Sequence, residues 1–198
     1  MIARICFLFL FSMQIVSGQK IVQKTILNNT DTAIDVNTTD CYLVTIHTSK
    51  TNEIVVEATM AGEYSNDLVL NIFEEGNTLL IDTSFNANFE LPNDKLGAHK
   101  VIAISLNIVI PENLKVNLHG TSSTINAHGL YDKLTISLND GKCVLKTTGE
   151  KASITTQSGT IELFTKSAKI NATSNYGKVL SEEIPNITIF APVITIMA

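Results

Sequence analysis

The sequence predicts an all-β protein, a β-solenoid-like stack of short strands, with a β-sandwich as the alternative arrangement. Three observations point there: apolar residues alternate with polar ones along most of the chain, turn residues punctuate these runs, and glycines recur at a fixed interval in the second half. Ile102, Ile104, Leu106, Ile108 and Ile110 form the longest alternating run; Tyr42, Val44 and Ile46, then Ile54, Val56 and Ala58, then Leu68, Leu70 and Ile72 repeat the pattern. Such alternation puts one strand face in a core and leaves the other wet. Between the runs lie Ser49-Lys50-Thr51-Asn52, Glu75-Gly76-Asn77, Leu91-Pro92-Asn93-Asp94 and Pro111-Glu112-Asn113, all rich in residues that favour turns. Ile, Val and Thr are abundant and Trp is absent, in keeping with strands.

The glycine interval is eighteen residues: Gly141, Gly159 and Gly177, with Ser123 one period upstream. At that period the chain forms columns. Val116, Leu134, Ala152 and Ile170 make one apolar column; Leu118, Ile136, Ile154 and Ala172 make the next; Ile125, Cys143, Ile161 and Val179 follow the corner. Polar columns lie between them: Asn117, Thr135, Ser153 and Asn171, then His119, Ser137, Thr155 and Thr173. A repeat that cannot bury its apolar face alone must stack on its neighbours, and glycine suits a corner that needs positive φ. Irregular strands are expected over 19–113, regular repeats over 114–181 and closing strands over 182–198, where Ile187, Ile189, Ile194 and Ile196 fall out of step.

Residues 1–18 read as a secretory signal. Arg4 supplies the positive charge, Ile5–Phe11 the apolar segment, and Val16-Ser17-Gly18 the small-residue cleavage pattern, so the exported protein begins at Gln19. The segment falls short of the ~20 apolar residues that span a bilayer, and no later run reaches that length, so no transmembrane anchor is expected after processing. Export places the single domain, 19–198, in the periplasm, on the cell surface or in the medium.

Removing the signal removes the only arginine and leaves thirteen lysines against nineteen acids, a net charge of −6. Nucleic-acid binding depends on neutralising phosphates with Lys and Arg, so an acidic, arginine-free chain argues against it. Cys41 and Cys143 survive processing; the column position of Cys143 predicts a buried thiol rather than a disulfide partner.

The succession Glu53-Ile54-Val55-Val56-Glu57-Ala58, Asn77-Thr78-Leu79-Leu80-Ile81 and Ile108-Val109-Ile110-Pro111-Glu112-Asn113-Leu114-Lys115-Val116, followed by Ser/Gly turns every eighteen residues, resembles the bacterial putative-adhesin domains. These are β-solenoid domains of unknown function related to the head domains of autotransporter adhesins. Members show Ser-Gly-Ser-Gly-Asp corners; the matching places here read Thr121-Ser122-Ser123, Asn139-Asp140-Gly141, Gln157-Ser158-Gly159 and Asn175-Tyr176-Gly177, the first without its glycine. The resemblance spans nearly the whole exported chain and implies a surface or periplasmic setting.

Catalytic patterns are sparse. No Gly-x-Ser-x-Gly elbow occurs, and Ser158 shares its column with Asp140 and Tyr176, which marks a corner residue. His47, His99, His119 and His128 lack metal-ligand spacing; His119 and His128, nine residues apart around a turn, are the one pair to consider. Glu74, Glu75, Asp132, Asp140 and Glu162 are the acids that a polysaccharide-cleaving site would draw on. No cofactor or metal is expected. Asn28, Asn37, Asn171 and Asn186 match the glycan-acceptor pattern, which matters only in a eukaryotic chain. The expected function is a non-catalytic interaction module binding a surface glycan or protein through Asn117, Thr135, Ser153, Asn171, Ser137, Thr155 and Thr173. The alternatives are a polysaccharide-active enzyme and a structural envelope protein.

Overall fold

A computed structural model describes residues 19–27, 32–90, 102–147, 151–165, 169–171, 187–188 and 194–197. The signal segment with Gly18, together with Thr173 and Gly177, therefore lies outside the described residues. Fourteen strands follow in order: β1 (Lys20–Leu27), β2 (Ala33–Asn37), β3 (Leu43–Ser49), β4 (Glu53–Gly62), β5 (Leu68–Glu75), β6 (Thr78–Phe85), β7 (Ile102–Pro111), β8 (Lys115–Gly120), β9 (Thr124–Gly129), β10 (Lys133–Thr147), β11 (Lys151–Phe164), β12 (Lys169–Asn171), β13 (Ile187–Thr188) and β14 (Ile194–Met197). Among the described residues one 3-10 turn, Ser65–Asp67, precedes β5.

All fourteen strands share one hydrogen-bonded sheet that curves toward a nearly closed barrel. It is not split into the two separate sheets of a sandwich. One series of parallel neighbours runs β6, β2, β8 and the first half of β10. A second runs β7, β3, β9 and the second half of β10. Antiparallel strands finish one end of both series: β5 beside β6, and β4 then β1 beside β7. β2 with β3 and β8 with β9 are pairs of half-strands joined by short turns, β6 and β7 hold the matching places in the two series, and β10 and β11 run through both series unbroken; each such level is a tier.

The eighteen-residue spacing is the register of the parallel ladder. Val116 pairs with Leu134 and Leu134 with Ala152; Leu118 pairs with Ile136 and Ile136 with Ile154; Ile125 pairs with Cys143 and Cys143 with Ile161. The columns extend into the first half, where the period does not. Leu79, Ile34 and Val116 are successive register partners, as are Leu106, Val44 and Ile125. The β2–β3 tier sits between β6–β7 and β8–β9, although it precedes both in sequence. An order of stacking unlike the order of the chain leaves no fixed interval to read.

Both series send alternate residues into one core. Ile34, Val36, Val44, Ile46, Leu118, Ile125, Leu134, Ile136 and Leu145 are all buried, and Tyr131 joins them with its hydroxyl donating toward the carbonyl oxygens of Ile46 and His128. Burial of an aliphatic side chain stabilises by about 1.5–3 kcal/mol, so this repeated column is the main source of cohesion.

At the corners the structure refines the expectation for glycine. Gly141 has φ +106°, as anticipated, and a methyl there would strike the Ser123 carbonyl oxygen. Gly159 does not have positive φ; it is small because the Gly141 carbonyl and the Thr156 hydroxyl approach it closely. The corner without glycine is explained by Ser123, which is fully buried. Its Oγ lies 2.7 Å from the carbonyl oxygens of both Thr38 and Cys41, and so ties the β8–β9 corner to the β2–β3 corner beneath it.

The closing strands depart from the column layout. Beyond β11 the expected next partner of Ser153 is Asn171, but β14 enters antiparallel between β11 and β12, so Thr195 stands opposite both residues. A C-terminal strand pairing back in this way covers a ladder edge that would otherwise stay open.

Candidate functional site

The polar columns lie on the outer face of the half-sheet formed by β2, β8, β10 and β11, opposite the buried columns, because strand side chains alternate between faces. Across this face Asp35, Asn117, Thr135 and Ser153 are successive register partners. Two residues further along, Asn37, His119, Ser137 and Thr155 form a second row. Thr135 and Ser153 are half-buried between their neighbours, and Ser137 and Thr155 are exposed. Parallel strands repeat at about 4.8 Å, so the face is a regular grid of hydroxyl and amide groups. Of the predicted face, Asn117, Thr135, Ser153, Ser137 and Thr155 are therefore together. Asn171 continues the row only through Thr195, and Thr173 lies outside the described residues.

The sequence columns missed Asp35. It belongs to β2, whose place beside β8 follows no period, yet it anchors one end of the grid. Asn117 Nδ2 donates to Asp35 Oδ2 at 2.6 Å, and His119 Nδ1 lies 3.2 Å from Asp35 Oδ1. His119 is 46% exposed and engaged by this carboxylate. Its other ring nitrogen completes a donor–acceptor set of carboxylate, amide, imidazole and hydroxyl on one open surface.

His128 does not join His119. It stands on β9, opposite His47 of β3, with its register neighbour on the other side being Lys146. Among the described residues no three His, Cys, Asp or Glu side chains gather as a metal-holding group. The candidate acids are dispersed. Glu74 and Glu75 are exposed on β5, Asp132 stands in the turn before β10, Asp140 accepts the Gly141 N–H at the corner, and Glu162 pairs with Lys142 at 2.7 Å.

Cys41 and Cys143 are free and buried. Burial pushes the Cys41 thiol up to about 11, opposed by its contact with Thr83, and pushes Cys143 up to about 12. The neutral thiol is the form the fold favours, so both groups contribute stability below the ordinary thiol range and lose it as pH rises toward those values. Neither thiol is expected to react with an aromatic disulfide reagent at pH 8 in the native protein; both are expected to react within minutes in denaturant, and prompt native labelling would contradict the burial.

No family model matches the chain, and no curated protein matches it. Among solved structures it is similar to a putative cell adhesion protein from Clostridium sporogenes, with TM-score 0.47 and 8% identity, covering 86% of this chain and 94% of that one. A putative adhesin from Parabacteroides merdae shows TM-score 0.33 and 13% identity over 86% and 77% of the two chains. In the described residues no helix is long and apolar enough to cross a membrane.

Proposed function

We propose that this chain is an exported interaction module, built as a β-solenoid, that holds a glycan or protein on its polar grid and performs no chemistry of its own. One observation carries the reading: Asp35, Asn117, Thr135 and Ser153 stand side by side on strands fixed in register, with His119, Ser137 and Thr155 beside them. A preordered surface of hydroxyls, amides and one carboxylate loses little conformational freedom on binding and offers paired donors and acceptors to sugar hydroxyls or peptide groups. The exported setting rests on residues 1–18, and the solenoid on the eighteen-residue register of β8 through β11.

The test is binding of the exported protein to a glycan array and to whole cells, beside a Thr135→Lys/Ser153→Lys variant. Both positions project from the open face, so the variant is expected to melt like the parent while its binding falls by about tenfold or more, the equivalent of about 1.4 kcal/mol. Equal binding by parent and variant would remove the grid as the contact surface.

A further inference from the structure

One more column at the eighteen-residue interval borders the polar grid, and every member of it is lysine. Lys115, Lys133, Lys151 and Lys169 take four of the thirteen lysines of the exported chain. Lys115 and Lys133 are register partners at the starts of β8 and β10. Lys151 stands one residue before Ala152, the partner of Leu134, and so continues the row on β11. Lys169 follows on the other side of Met197 of β14. Lys115, Lys133 and Lys151 each precede a grid position by two residues, so their side chains leave the same face as Asn117, Thr135 and Ser153. All three are exposed, and among the described residues none of them forms an ion pair or a hydrogen bond.

Like charges directly opposite one another on neighbouring strands destabilise a sheet. The exported chain holds nineteen acids, yet none is paired with this row, and the Asp35 carboxylate on the same face is taken up by Asn117 and His119. A row of ammonium groups that costs the free protein something is relieved by a bound anion. We infer that this face takes an acidic polysaccharide running across the strands, its anionic groups on Lys115, Lys133 and Lys151 and its hydroxyls on Asn117, Thr135 and Ser153. This identifies the ligand class and rests on the reading of the grid as a binding surface. The lysines repeat at about 4.8 Å, close to the advance of one pyranose ring in an extended chain, so a polymer with one anion per ring matches the row step for step. The flexible stem of lysine lets each ammonium group follow an anion on either side of that chain. An extended acidic peptide fits less well, because its side chains on one face repeat at about 6.8 Å. A nucleic-acid strand would find no aromatic ring among these six residues on which to stack its bases.

The experiment measures binding of the exported protein to an oligogalacturonate and to the same oligomer with every carboxylate methyl-esterified. Dextran sulfate and plain dextran form a second pair, because an ammonium group takes carboxylate and sulfate alike; the pair that shows the difference identifies the anion. The acidic member is expected to bind at least about tenfold more tightly than its neutral counterpart. Lys115→Gln/Lys133→Gln/Lys151→Gln is expected to lose that margin, and arginine at the same three positions to keep it. The margin is also expected to survive in Lys142→Gln/Lys146→Gln, which removes two lysines from the second half of β10. Because the glutamine variant relieves repulsion, it is expected to melt no lower than the parent, which shows that its fold is intact. Acidic oligomers that bind no better than their neutral counterparts overturn the proposal, as does a margin lost equally in the Lys142/Lys146 variant. Thr135→Val/Ser153→Ala tests the grid separately, since it removes two hydroxyls and adds no charge. Acidic binding that it leaves unchanged would uphold the lysine row and overturn the grid; neutral binding that it alone weakens would uphold the grid and overturn the acidic ligand.

Discussion

Replacing Ile136 by aspartate abolishes the cooperative fold at neutral pH. Ile136 is fully buried, with Leu118 on one side and Ile154 on the other in the parallel ladder, so three tiers share the site. An unpaired ion taken out of water costs several kcal/mol even after the structure relaxes, which is comparable with the whole stability of a domain. Ile136→Val, which removes one methylene and no more, is expected to cost about 1 kcal/mol. Burial raises the pKa of the new carboxyl, so the variant is relatively most stable below the ordinary carboxylate range and loses that stability as pH rises. Chemical denaturation at pH 4 and pH 7 reads both effects. A soluble variant with the parent's transition at pH 7 would mean that the column is wrongly placed.

Gly141→Ala is expected to lower stability by about 3 kcal/mol or more, a fall in melting temperature of about 6–12 °C for a chain of this size. Two costs combine. An L side chain at φ +106° is strained wherever it occurs, and here the new methyl also meets the Ser123 carbonyl oxygen. That backbone has little room to yield, since Asp140 N–H donates to Thr121 and Lys142 N–H to Ser123 on either side of the glycine. Gly76→Ala separates the two contributions: its φ is +60° with open space around it, and about 1 kcal/mol is expected. Equal losses at the two sites would show that the corner contact carries no weight.

The second half of the fold was legible because tiers that follow one another in sequence also follow one another in space. For β8 through β11 the period, the apolar columns and the ladder register are the same quantity, so Leu134, Ile136 and Cys143 could be placed from spacing alone. The first half gave its strands but not their neighbours. Alternation identifies a strand and its buried face; it carries no information about which strand lies beside it. That gap hid Asp35, the carboxylate that engages Asn117 and His119. It also hid the intercalation of β14, because the alternation of Ile194 and Ile196 is compatible with any partner. Ser123 was visible as an exception to the glycine column, while the reason for it, the two carbonyls of a distant corner, needed the tertiary structure.

The place of the β2–β3 tier also fixes an order of events during folding. Residues 115–164 close on partners eighteen positions away, so their ladder can grow as soon as each tier exists. The N-terminal tier has to wait: Ile34 meets Leu79 on one side and Val116 on the other, and Val44 meets Leu106 and Ile125. These partners lie 45 to 82 positions further along the chain, and loop closure over such separations must be completed before the contacts repay it. A chain made from its N-terminus therefore holds β2 and β3 without their neighbours until β6 through β9 have been added. Vulnerability to mispairing and proteolysis is concentrated at residues 33–49, the segment that ends up in the middle of the completed sheet.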